Sequence, residues 1–472
     1  MKKQKYDLLN FRTKKIGNSF LVTTDQGTWL FLEQEELDAL KSNRITNNVE
    51  LFKKLEESGV ILTENNFENI KNHFRERLSF LANGPSLHIV VITLKCNHKC
   101  IYCHASSKSL EDKGCDMEKE TAEKTVDFIL QSKAPKIVIE FQGGEPLLRF
   151  DIIKHIIEYA RKANKKYGKE IEFNVVTNMV LMNEMKLKYF LDNDIGLCTS
   201  LDGPASVHNH NRKFIGKGDS YQYVSSWIKR LSQEYKKRGI KNRRVNALIT
   251  ITRDSLTHSK EIIDEYVNLG LEELHIRFLN NLGDARPAWN QISYTAEQFI
   301  KFWKDSMDYL LELNKKGVFL RERGSHIMLV KLLTHSDPNF LDMRSPCGAA
   351  IGQLAYTPNG NIYTCDEARM TGNDIFKLGN VSKDKCADVL SSRQTCSIVA
   401  SSINDCHICD SCVYKPYCGI CPVCNYAEQG SIIAKIPETS RCKIYMAQFN
   451  YLFEKLKQPE YKEIFMSWLK KR

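Results

Sequence analysis

Three cysteines near residue 100 have the spacing in this chain that most directly predicts chemistry. Cys96, Cys100 and Cys103 are separated by three and then by two residues. Cysteine thiolates are the usual ligands of iron–sulfur clusters, and a four-iron cluster held by only three of them keeps one iron open for a small molecule. The spacing therefore predicts an incomplete soft-metal site at which a further ligand binds.

A second group of cysteines lies in the last third of the chain. Its members are Cys347, Cys365, Cys406, Cys409, Cys412, Cys418, Cys421, Cys424 and Cys442. The chain has 16 cysteines, and its polar N-terminus does not resemble a signal peptide. Because cytosolic thiols are kept reduced, so many cysteines favour metal binding over a disulfide framework. The remaining cysteines have no such spacing, and we expect free thiols at Cys115, Cys198, Cys386 and Cys396.

Zinc is the structural alternative for both groups. A zinc knuckle would be completed by His98 or His104 beside the first three cysteines, and the paired cysteines of the second group would form a zinc ribbon. Structural zinc sites usually have two pairs of cysteines that are distant in sequence, whereas the first group has three cysteines and no second pair. We therefore regard zinc as the less favoured interpretation.

Alternating strand-like and helical patterns between residues 86 and 280 predict the element that positions these residues. The predicted strands cover 87–93, 136–142, 171–177, 196–201, 244–250 and 273–279, with helices between them. Such βα repeats predict an α/β fold with a parallel sheet, here a partial (β/α)6 barrel of the TIM type. Active sites in these barrels lie at the carboxyl ends of the strands, and Cys96 follows the first strand.

Polar or flexible residues follow several of the other predicted strands. Gly143 and Gly144 after the second strand permit close approach of the backbone to a ligand, and Glu145 is an acceptor for an amine. The third strand ends at Asn178, which either binds a ligand or caps a helix. Ser200 and Arg212 follow the fourth strand, Leu248 lies on the fifth, and Arg277 lies near the end of the sixth, facing substrate or pairing with a carboxylate.

The N-terminal segment predicts a small module of strands and helices. Residues 19–24 and 28–32 form a predicted hairpin, followed by helical patterns at about 34–42 and 48–57. A winged module of this kind either docks the leader of a precursor peptide along a sheet edge or only covers the barrel. The predicted organisation is 1–63 for this module, 64–85 for a linker, 86–330 for the barrel, 331–445 for a bridge and a cysteine-rich domain, and 446–472 for a C-terminal helix.

Composition limits the partners and the location. The 472 residues are 42% apolar and 26% charged, and no apolar run reaches the roughly 18 residues that cross a bilayer, so we expect a cytoplasmic protein without a membrane anchor. The net charge of +11 comes from dispersed basic residues. We therefore expect no nucleic acid partner, and an acidic peptide is the more interesting alternative to a solvated basic surface.

Taken together, the motifs resemble the radical S-adenosylmethionine (SAM) enzymes that carry a C-terminal SPASM domain. The resemblance covers roughly residues 86–445. It implies that the iron left open by Cys96, Cys100 and Cys103 is chelated by the methionine part of SAM. It also implies the other SAM contacts: Gly143, Gly144 and Glu145 at the amino group, Arg212 at the carboxylate, Ser200 and less securely Asn178 at the ribose, and Tyr102 and Leu248 near the adenine.

The same resemblance assigns two auxiliary four-iron clusters to the second cysteine group, which makes three clusters in total. Cys409, Cys412, Cys418 and Cys442 would hold the distal cluster. Cys347 and Cys365 would hold the proximal one with Cys424 or Cys421, and a cysteine that the family has soon after Cys347 is absent. The fourth position of the proximal cluster is therefore Cys406, Cys421 or a substrate thiol.

Within that group the chain resembles the peptide maturases of His-Xaa-Ser-type systems. The implied function is to generate a 5′-deoxyadenosyl radical, with electrons from a flavodoxin or ferredoxin, and to install a thioether or carbon–carbon crosslink in a ribosomally made precursor peptide. Asp366, directly after Cys365, stands where sulfatase-maturating enzymes keep an acidic base, so formylglycine formation is the alternative. A non-catalytic iron–sulfur carrier or zinc scaffold is the alternative of another class.

Overall fold

The structure is a computed structural model that describes residues 5–240, 243–334, 336–338, 340–406 and 408–470; Ala82 and Cys406 are described by their backbone alone. Its central feature is a curved parallel sheet covered by helices. The strands of the barrel region are β6 (Leu87–Thr93), β7 (His98–Cys100), β8 (Lys136–Gly143), β9 (Glu170–Val176), β10 (Gly196–Ser200), β11 (Arg212–Phe214), β12 (Asn246–Thr250), β13 (Glu273–Arg277) and β14 (Arg321–Glu322). Its helices are α4 (Lys119–Leu130), α5 (Phe150–Ala163), α6 (Glu184–Asp192), α7 (Ala205–Asn211), α8 (Ser220–Lys237), α9 (Ser259–Asn268), α10 (Ala285–Ile292), α11 (Ala296–Lys315) and α12 (Arg323–Leu333).

The six predicted strands are all present, within a few residues of their expected bounds, and they pair in parallel. The strand order is β14-β13-β12-β10-β9-β8-β6, which is the order of a partial barrel. The sheet continues past β6 through the parallel strand β15 (Gln353–Tyr356) and the antiparallel strands β16 (Asn361–Tyr363) and β17 (Lys377–Asn380). The barrel sheet and the first part of the C-terminal region are therefore one ten-stranded sheet.

Side chains alternate along each barrel strand. On β8, Ile137, Ile139 and Phe141 are buried against the helices. Glu140 and Gln142, which occupy the alternate positions of the strand, line the cavity in the barrel lumen. Because successive strand residues point to opposite faces, the outer face supplies the apolar core and the inner face supplies a polar cavity.

Within its described residues, the N-terminal module contains three strands besides the predicted hairpin. Its elements are β1 (Asp7–Leu8), β2 (Phe11–Ile16), β3 (Ser19–Thr24), β4 (Trp29–Leu32), α1 (Gln34–Lys41), α2 (Val49–Glu57), β5 (Ile61–Leu62) and α3 (Phe67–Leu78). The predicted hairpin is β3–β4, and β2 extends it to a three-stranded antiparallel sheet. A small core of its own, which includes Leu37, Phe52 and Leu55, holds the module together.

The C-terminal region combines two short hairpin strands with helices and cysteine-bearing loops. Its elements are β15 (Gln353–Tyr356), β16 (Asn361–Tyr363), α13 (Asp366–Met370), β17 (Lys377–Asn380), α14 (Cys386–Leu390), α15 (Arg393–Ser401), α16 (Pro422–Gln429), α17 (Ser440–Leu456) and α18 (Pro459–Leu469). None of the helices in the described ranges is long and apolar enough to cross a membrane.

Candidate functional site

The first cysteine loop is folded back on itself directly after β6. The short strand β7 pairs antiparallel with β11, so that Cys100 lies opposite Arg212. The amide of Cys103 donates to the carbonyl of Cys100 at 3.2 Å, which forms a turn. The amide of His98 donates to the sulfur of Cys96 at 3.3 Å. These local bonds gather the three thiols at the carboxyl end of the first barrel strand, as the sequence predicts.

Gly143 and Gly144 hold this loop against the second barrel strand. A Cβ on Gly144 would lie 2.1 Å from the carbonyl oxygen of Lys95, and a Cβ on Gly143 would lie 2.2 Å from that of Thr93. The amide of Gly144 donates to Thr93, and that of Glu145 donates to Lys95, both at 2.8 Å. The two glycines therefore permit a close approach of one backbone to another, which fixes the start of the cysteine loop.

The Glu145 carboxylate already has three donors inside the protein. One oxygen accepts from the amide of Leu147 at 2.9 Å and from the hydroxyl of Thr177 at 2.7 Å, and the other accepts from the amide of Asn178 at 2.8 Å. Burial raises the pKa of Glu145, and these donors oppose that rise. A carboxylate has about four acceptor positions, so one remains for a further donor.

Arg212 lies in a network built on Asp202. The fully buried Asp202 carboxylate accepts from the Tyr102 hydroxyl at 2.6 Å and from Arg212 Nε at 3.1 Å. The guanidinium of Arg212 also lies over the Tyr102 ring, 5.3 Å from its centroid. Burial lowers the pKa of Arg212, but the carboxylate of Asp202 more than offsets this and the net shift is upward. Since Nε alone takes part in the pair, the two terminal nitrogens remain for a second anion.

One cavity of about 2170 Å³ runs along the barrel lumen and joins both cysteine groups. Its lining includes all of the residues predicted to contact SAM, namely Tyr102, Gly143, Gly144, Glu145, Asn178, Ser200, Arg212 and Leu248. Asn178 donates its side-chain amide to Asn97 Oδ1 at 2.7 Å. The first cysteine group lies at one side of this cavity, and Cys347, Cys365 and Cys421 lie at another.

The proximal cysteines form one buried cluster. Cys347, Cys365, Cys421 and Cys424 are all 9% exposed or less and pack together with apolar residues such as Phe376 and Val423. Helix α16 begins at Pro422, which places Cys421 at its N-cap and Cys424 three residues later on the same face. The structure thus brings Cys421 and Cys424 together where their spacing left a choice between them; the side chain of Cys406 lies outside the described part of the chain.

The distal cysteines come from one loop and one helix. The thiols of Cys409, Cys412, Cys418 and Cys442 are close enough for their charges to interact. Cys442 lies in the first turn of α17, where its amide donates to the hydroxyl of Thr439 at 3.2 Å. The four residues predicted for this group are therefore neighbours in space.

The proximal and the distal cysteines are both suitable as ligands of an iron–sulfur cluster. Burial raises the pKa of Cys347 and Cys365, so their thiolates need positive charge beside them, which a cluster supplies. Each thiolate of a four-iron cluster binds its own iron, so the sulfurs stand further apart than around one ion. Among the described residues, no three His, Cys, Asp or Glu side chains lie close enough together to hold a single metal ion.

Acidic residues line the cavity between the two cysteine groups. Asp366 is 8% exposed and accepts from Arg369 Nε at 2.7 Å. Its neighbour Glu367 lies 3.6 Å from Arg277, and Glu140 accepts from Gln142 at 2.6 Å. Burial raises the pKa of Glu140. The cavity thus contains carboxylates, which can accept and release protons. It also contains the cation Arg277, which is only loosely paired with Glu367.

Two residues of the site, Asp202 behind Arg212 and Glu140 in the cavity wall, were missed by the sequence reasoning. Asp202 stands two residues after Ser200, and its position just past a strand end was the available signal. Glu140 lies at a lumen-facing position of β8, which the strand periodicity marks as polar and inward. His104, which the sequence reasoning weighed only as a zinc ligand, also lines the cavity, and its buried Nε2 has no hydrogen-bond partner within the described ranges.

Comparisons with known proteins agree with this architecture. Residues 90–264 match the model of the radical SAM superfamily. A cysteine-type anaerobic sulfatase-maturating enzyme of Clostridium perfringens is 26% identical over 76% of this chain and 94% of that relative. The radical SAM cyclopropyl synthase TigE of Paramaledivibacter caminithermalis is 23% identical over 96% of this chain and 89% of that relative.

Two solved structures have the same fold. The native sulfatase-maturating enzyme anSMEcpe with bound AdoMet superposes with a TM-score of 0.66 at 22% identity, over 81% of this chain and 100% of that one. SuiB of Streptococcus suis, bound to its precursor peptide SuiA, superposes with a TM-score of 0.54 at 14% identity, over 91% and 98%. At these identities the likeness establishes the partial barrel and nothing about the substrate.

Proposed function

We propose that this chain is a peptide maturase that installs a crosslink in a ribosomally made precursor. It contains a radical SAM domain, and the enzymes of that superfamily use a [4Fe–4S] cluster and SAM. The observation that carries the proposal is the single open cavity lined by the first cysteine group and by the proximal one. Its volume of about 2170 Å³ exceeds that of ordinary small-molecule pockets, roughly 300–1,000 Å³, and would hold SAM and cluster atoms as well as a peptide segment.

In this proposal Cys96, Cys100 and Cys103 hold the cluster that binds SAM. Arg212 directs its free terminal nitrogens to the SAM carboxylate, because Nε is already committed to Asp202. Glu145 offers its remaining acceptor position to the amino group. The Ser200 hydroxyl, which faces the cavity, serves the ribose, with Asn178 close by; Tyr102 and Leu248 border the adenine.

Two auxiliary clusters complete the set of three. Cys409, Cys412, Cys418 and Cys442 hold the distal one. Cys347, Cys365, Cys421 and Cys424 hold the proximal one, and their common burial favours four protein ligands over an open iron. With four protein ligands a cluster held here would have no open iron for a substrate thiolate and would serve electron transfer only, so carbon–carbon or carbon–oxygen crosslinks would be more suitable products than thioethers.

When bound, the reduced cluster and SAM supply a 5′-deoxyadenosyl radical that abstracts hydrogen from the peptide. The residues of the chain do the rest of the work. Arg277, which is only loosely paired with Glu367, offers donors to the peptide, and the Asp366 carboxylate, which accepts a hydrogen bond from Arg369, accepts a proton. A flavodoxin or ferredoxin delivers the electrons.

The N-terminal module is the proposed docking site for the leader of the precursor, with a structural role as the alternative. The structural role has direct support, because Trp29 donates to the carbonyl of Leu332 at 2.6 Å and Thr23 donates to that of Val413 at 2.8 Å. One face of the module therefore packs on the rest of the chain, and the edge strands β2 and β4 remain for an extended peptide.

Formylglycine formation in a sulfatase is the second candidate. It is favoured by Asp366, whose position in the cavity beside Cys365 suits a base acting on a substrate side chain. The sulfatase-maturating relative from Clostridium perfringens agrees with it.

One experiment separates the two functions. The reconstituted enzyme is incubated anaerobically with SAM, reductant and, in separate reactions, the peptide encoded beside its gene and a sulfatase-derived peptide. A crosslinked product that loses a pair of hydrogen atoms and resists hydrazide labelling supports the maturase. A hydrazide-reactive aldehyde that forms on the sulfatase peptide alone would overturn the maturase proposal and support formylglycine formation.

A further inference from the structure

Arg441 is a buried cation in contact with a proposed cluster ligand. It is 9% exposed, and its Nη2 donates to the sulfur of Cys424 at 3.0 Å. Its Nη1 donates to Asp342 at 2.6 Å and to the hydroxyl of Tyr445 at 3.0 Å. The guanidinium also lies 5.1 Å from the ring centroid of Phe278 and 5.5 Å from that of Tyr445. These contacts fix its orientation toward the proximal cysteines.

Asp342 neutralises this cation only in part. Its side chain is 31% exposed, so water screens it, whereas the Arg441 side chain is 10% exposed. Charge is felt more strongly where water is excluded. The sulfur of Cys424 therefore receives both an N–H donor and a positive charge from the same side chain.

The position of Arg441 in the chain links the two auxiliary cysteine groups. It is the second residue of α17, and the next residue is Cys442 of the distal group. Arg441 contacts Cys424, while the Cys442 thiol interacts with that of Cys412. One turn of one helix thus contributes a ligand to one group and a charged donor to the other.

We propose that Arg441 is a positioning residue that raises the reduction potential of the proximal auxiliary cluster. This inference rests on the proposed assignment of Cys347, Cys365, Cys421 and Cys424 to that cluster. Reduction adds one negative charge to a cluster, and hydrogen bonds to its sulfurs together with nearby positive charge favour the reduced state. Arg441 supplies both to Cys424 and neither to the distal cysteines, so its effect is confined to the proximal cluster.

The test is a redox titration of the full-length protein with all clusters loaded, followed by electron paramagnetic resonance. Arg441→Gln removes the charge, and we expect the midpoint potential of one auxiliary cluster to become more negative while the other two stay unchanged. Asp342→Asn removes the opposing carboxylate, and we expect the same cluster to move in the positive direction. Lys443→Gln, which removes an exposed cation from the same helix, is the matched control and leaves all potentials in place.

The outcomes separate this inference from the assignment on which it rests. Opposite shifts of one cluster in the Arg441 and Asp342 variants support the role of Arg441. Three loaded clusters with unchanged potentials in both variants overturn it and leave the proposed function standing. If the Arg441→Gln protein does not bind the proximal cluster, the Asp342→Asn variant decides. A positive shift of the midpoint potential supports the role of Arg441, and an unchanged potential overturns it. Wild-type protein that loads only the first cluster overturns both the inference and the assignment of the auxiliary clusters.

Discussion

Arg212 shows how one residue serves the fold and the site together. Its Nε is paired with Asp202, a carboxylate with no exposed surface, and the residue lines the cavity. A buried carboxylate without a counter-ion costs about 3–5 kcal/mol, so the charge of Arg212 is needed even without a ligand. The planar guanidinium, which can donate two parallel hydrogen bonds, is needed only for recognition of a second carboxylate.

Substitution of Arg212 should therefore separate the two roles. Arg212→Lys keeps the charge, so we expect little change in the free energy of unfolding, but SAM affinity should fall roughly 10–100-fold because a charge-assisted hydrogen bond of about 1.5–3 kcal/mol is lost. Arg212→Gln should lower both the free energy of unfolding and the affinity for SAM. Equilibrium dialysis with SAM and urea denaturation measure the two effects. Arg149→Lys, at an exposed pair with Asp151, is the control; full SAM affinity in Arg212→Lys would refute the assignment.

At the scale of elements, the end of β8 fixes the start of the first cysteine loop. Gly143 and Gly144 admit the carbonyls of Thr93 and Lys95, which no larger residue would permit. The loop is held a second time at its far end, where the amide of Asp284 donates to the carbonyl of Cys103 at 2.8 Å. Neighbouring strands thus set the geometry of the three thiols.

Gly144→Ala should release that loop. Its new methyl group would lie 2.1 Å from the Lys95 oxygen, so the backbone that precedes Cys96 must move. We expect the iron of one cluster to be lost while the auxiliary clusters remain, as measured by iron and sulfide content. Gly270→Ala is the control for general backbone strain, because Gly270 has a φ of +69° and its added Cβ meets no atom within 4 Å. Equal iron content in the two variants would contradict this role of Gly144.

The contact between β6 and β15 predicts a dependence on pH. His88 on β6 is 1% exposed, and its ring contacts the Tyr356 hydroxyl at 2.9 Å and the Pro85 carbonyl at 3.2 Å. Burial lowers the pKa of His88 from 6.5 to about 3. Between these values the unfolded chain binds a proton that the folded chain does not, so the free energy of unfolding falls as the pH falls from 6.5 toward 3.

His88→Gln should remove this contribution. Anaerobic urea denaturation between pH 6.5 and 5 should give a slope that is smaller than that of the wild type by up to about 1.4 kcal/mol per pH unit. His258→Gln, at a side chain that is 40% exposed, should keep the wild-type slope. A His88→Gln slope identical to the wild type would mean that His88 is not held neutral in the fold.

At the scale of the whole molecule, the N-terminal module meets the distal loop and helix α17 near the distal cysteines. Arg12 on β2 pairs with Asp410 in the distal loop, and Lys457 at the end of α17 donates to Ser19 at 2.7 Å. The Trp29 ring lies 5.2 Å from that of Phe453. Because the N-terminal module packs here, deleting residues 1–63 would disturb the distal cluster as well as any leader site. A substitution at Lys15, the exposed residue of β2, is the cleaner test of leader binding.

Much of this architecture was predictable from the sequence, and the exceptions have physical reasons. The six barrel strands were found because βα alternation is a strong signal. Strand β2 was missed because Arg12, Lys14 and Lys15 interrupt its apolar pattern. The joint position of Cys421 and Cys424 was not deduced because it depends on helix α16 starting at Pro422. The network of Asp202 with Tyr102 and Arg212 joins distant parts of the chain, and spacing alone does not reveal it.

The most direct test of the account is cleavage of SAM by the wild type and by a variant with alanine at positions 96, 100 and 103. Under strong reductant we expect the wild type, with three clusters, to produce 5′-deoxyadenosine. The variant should lose the iron of one cluster, keep the auxiliary ones and produce none, because the open iron is gone. Undiminished 5′-deoxyadenosine from the triple variant would contradict the assignment of the radical chemistry to Cys96, Cys100 and Cys103.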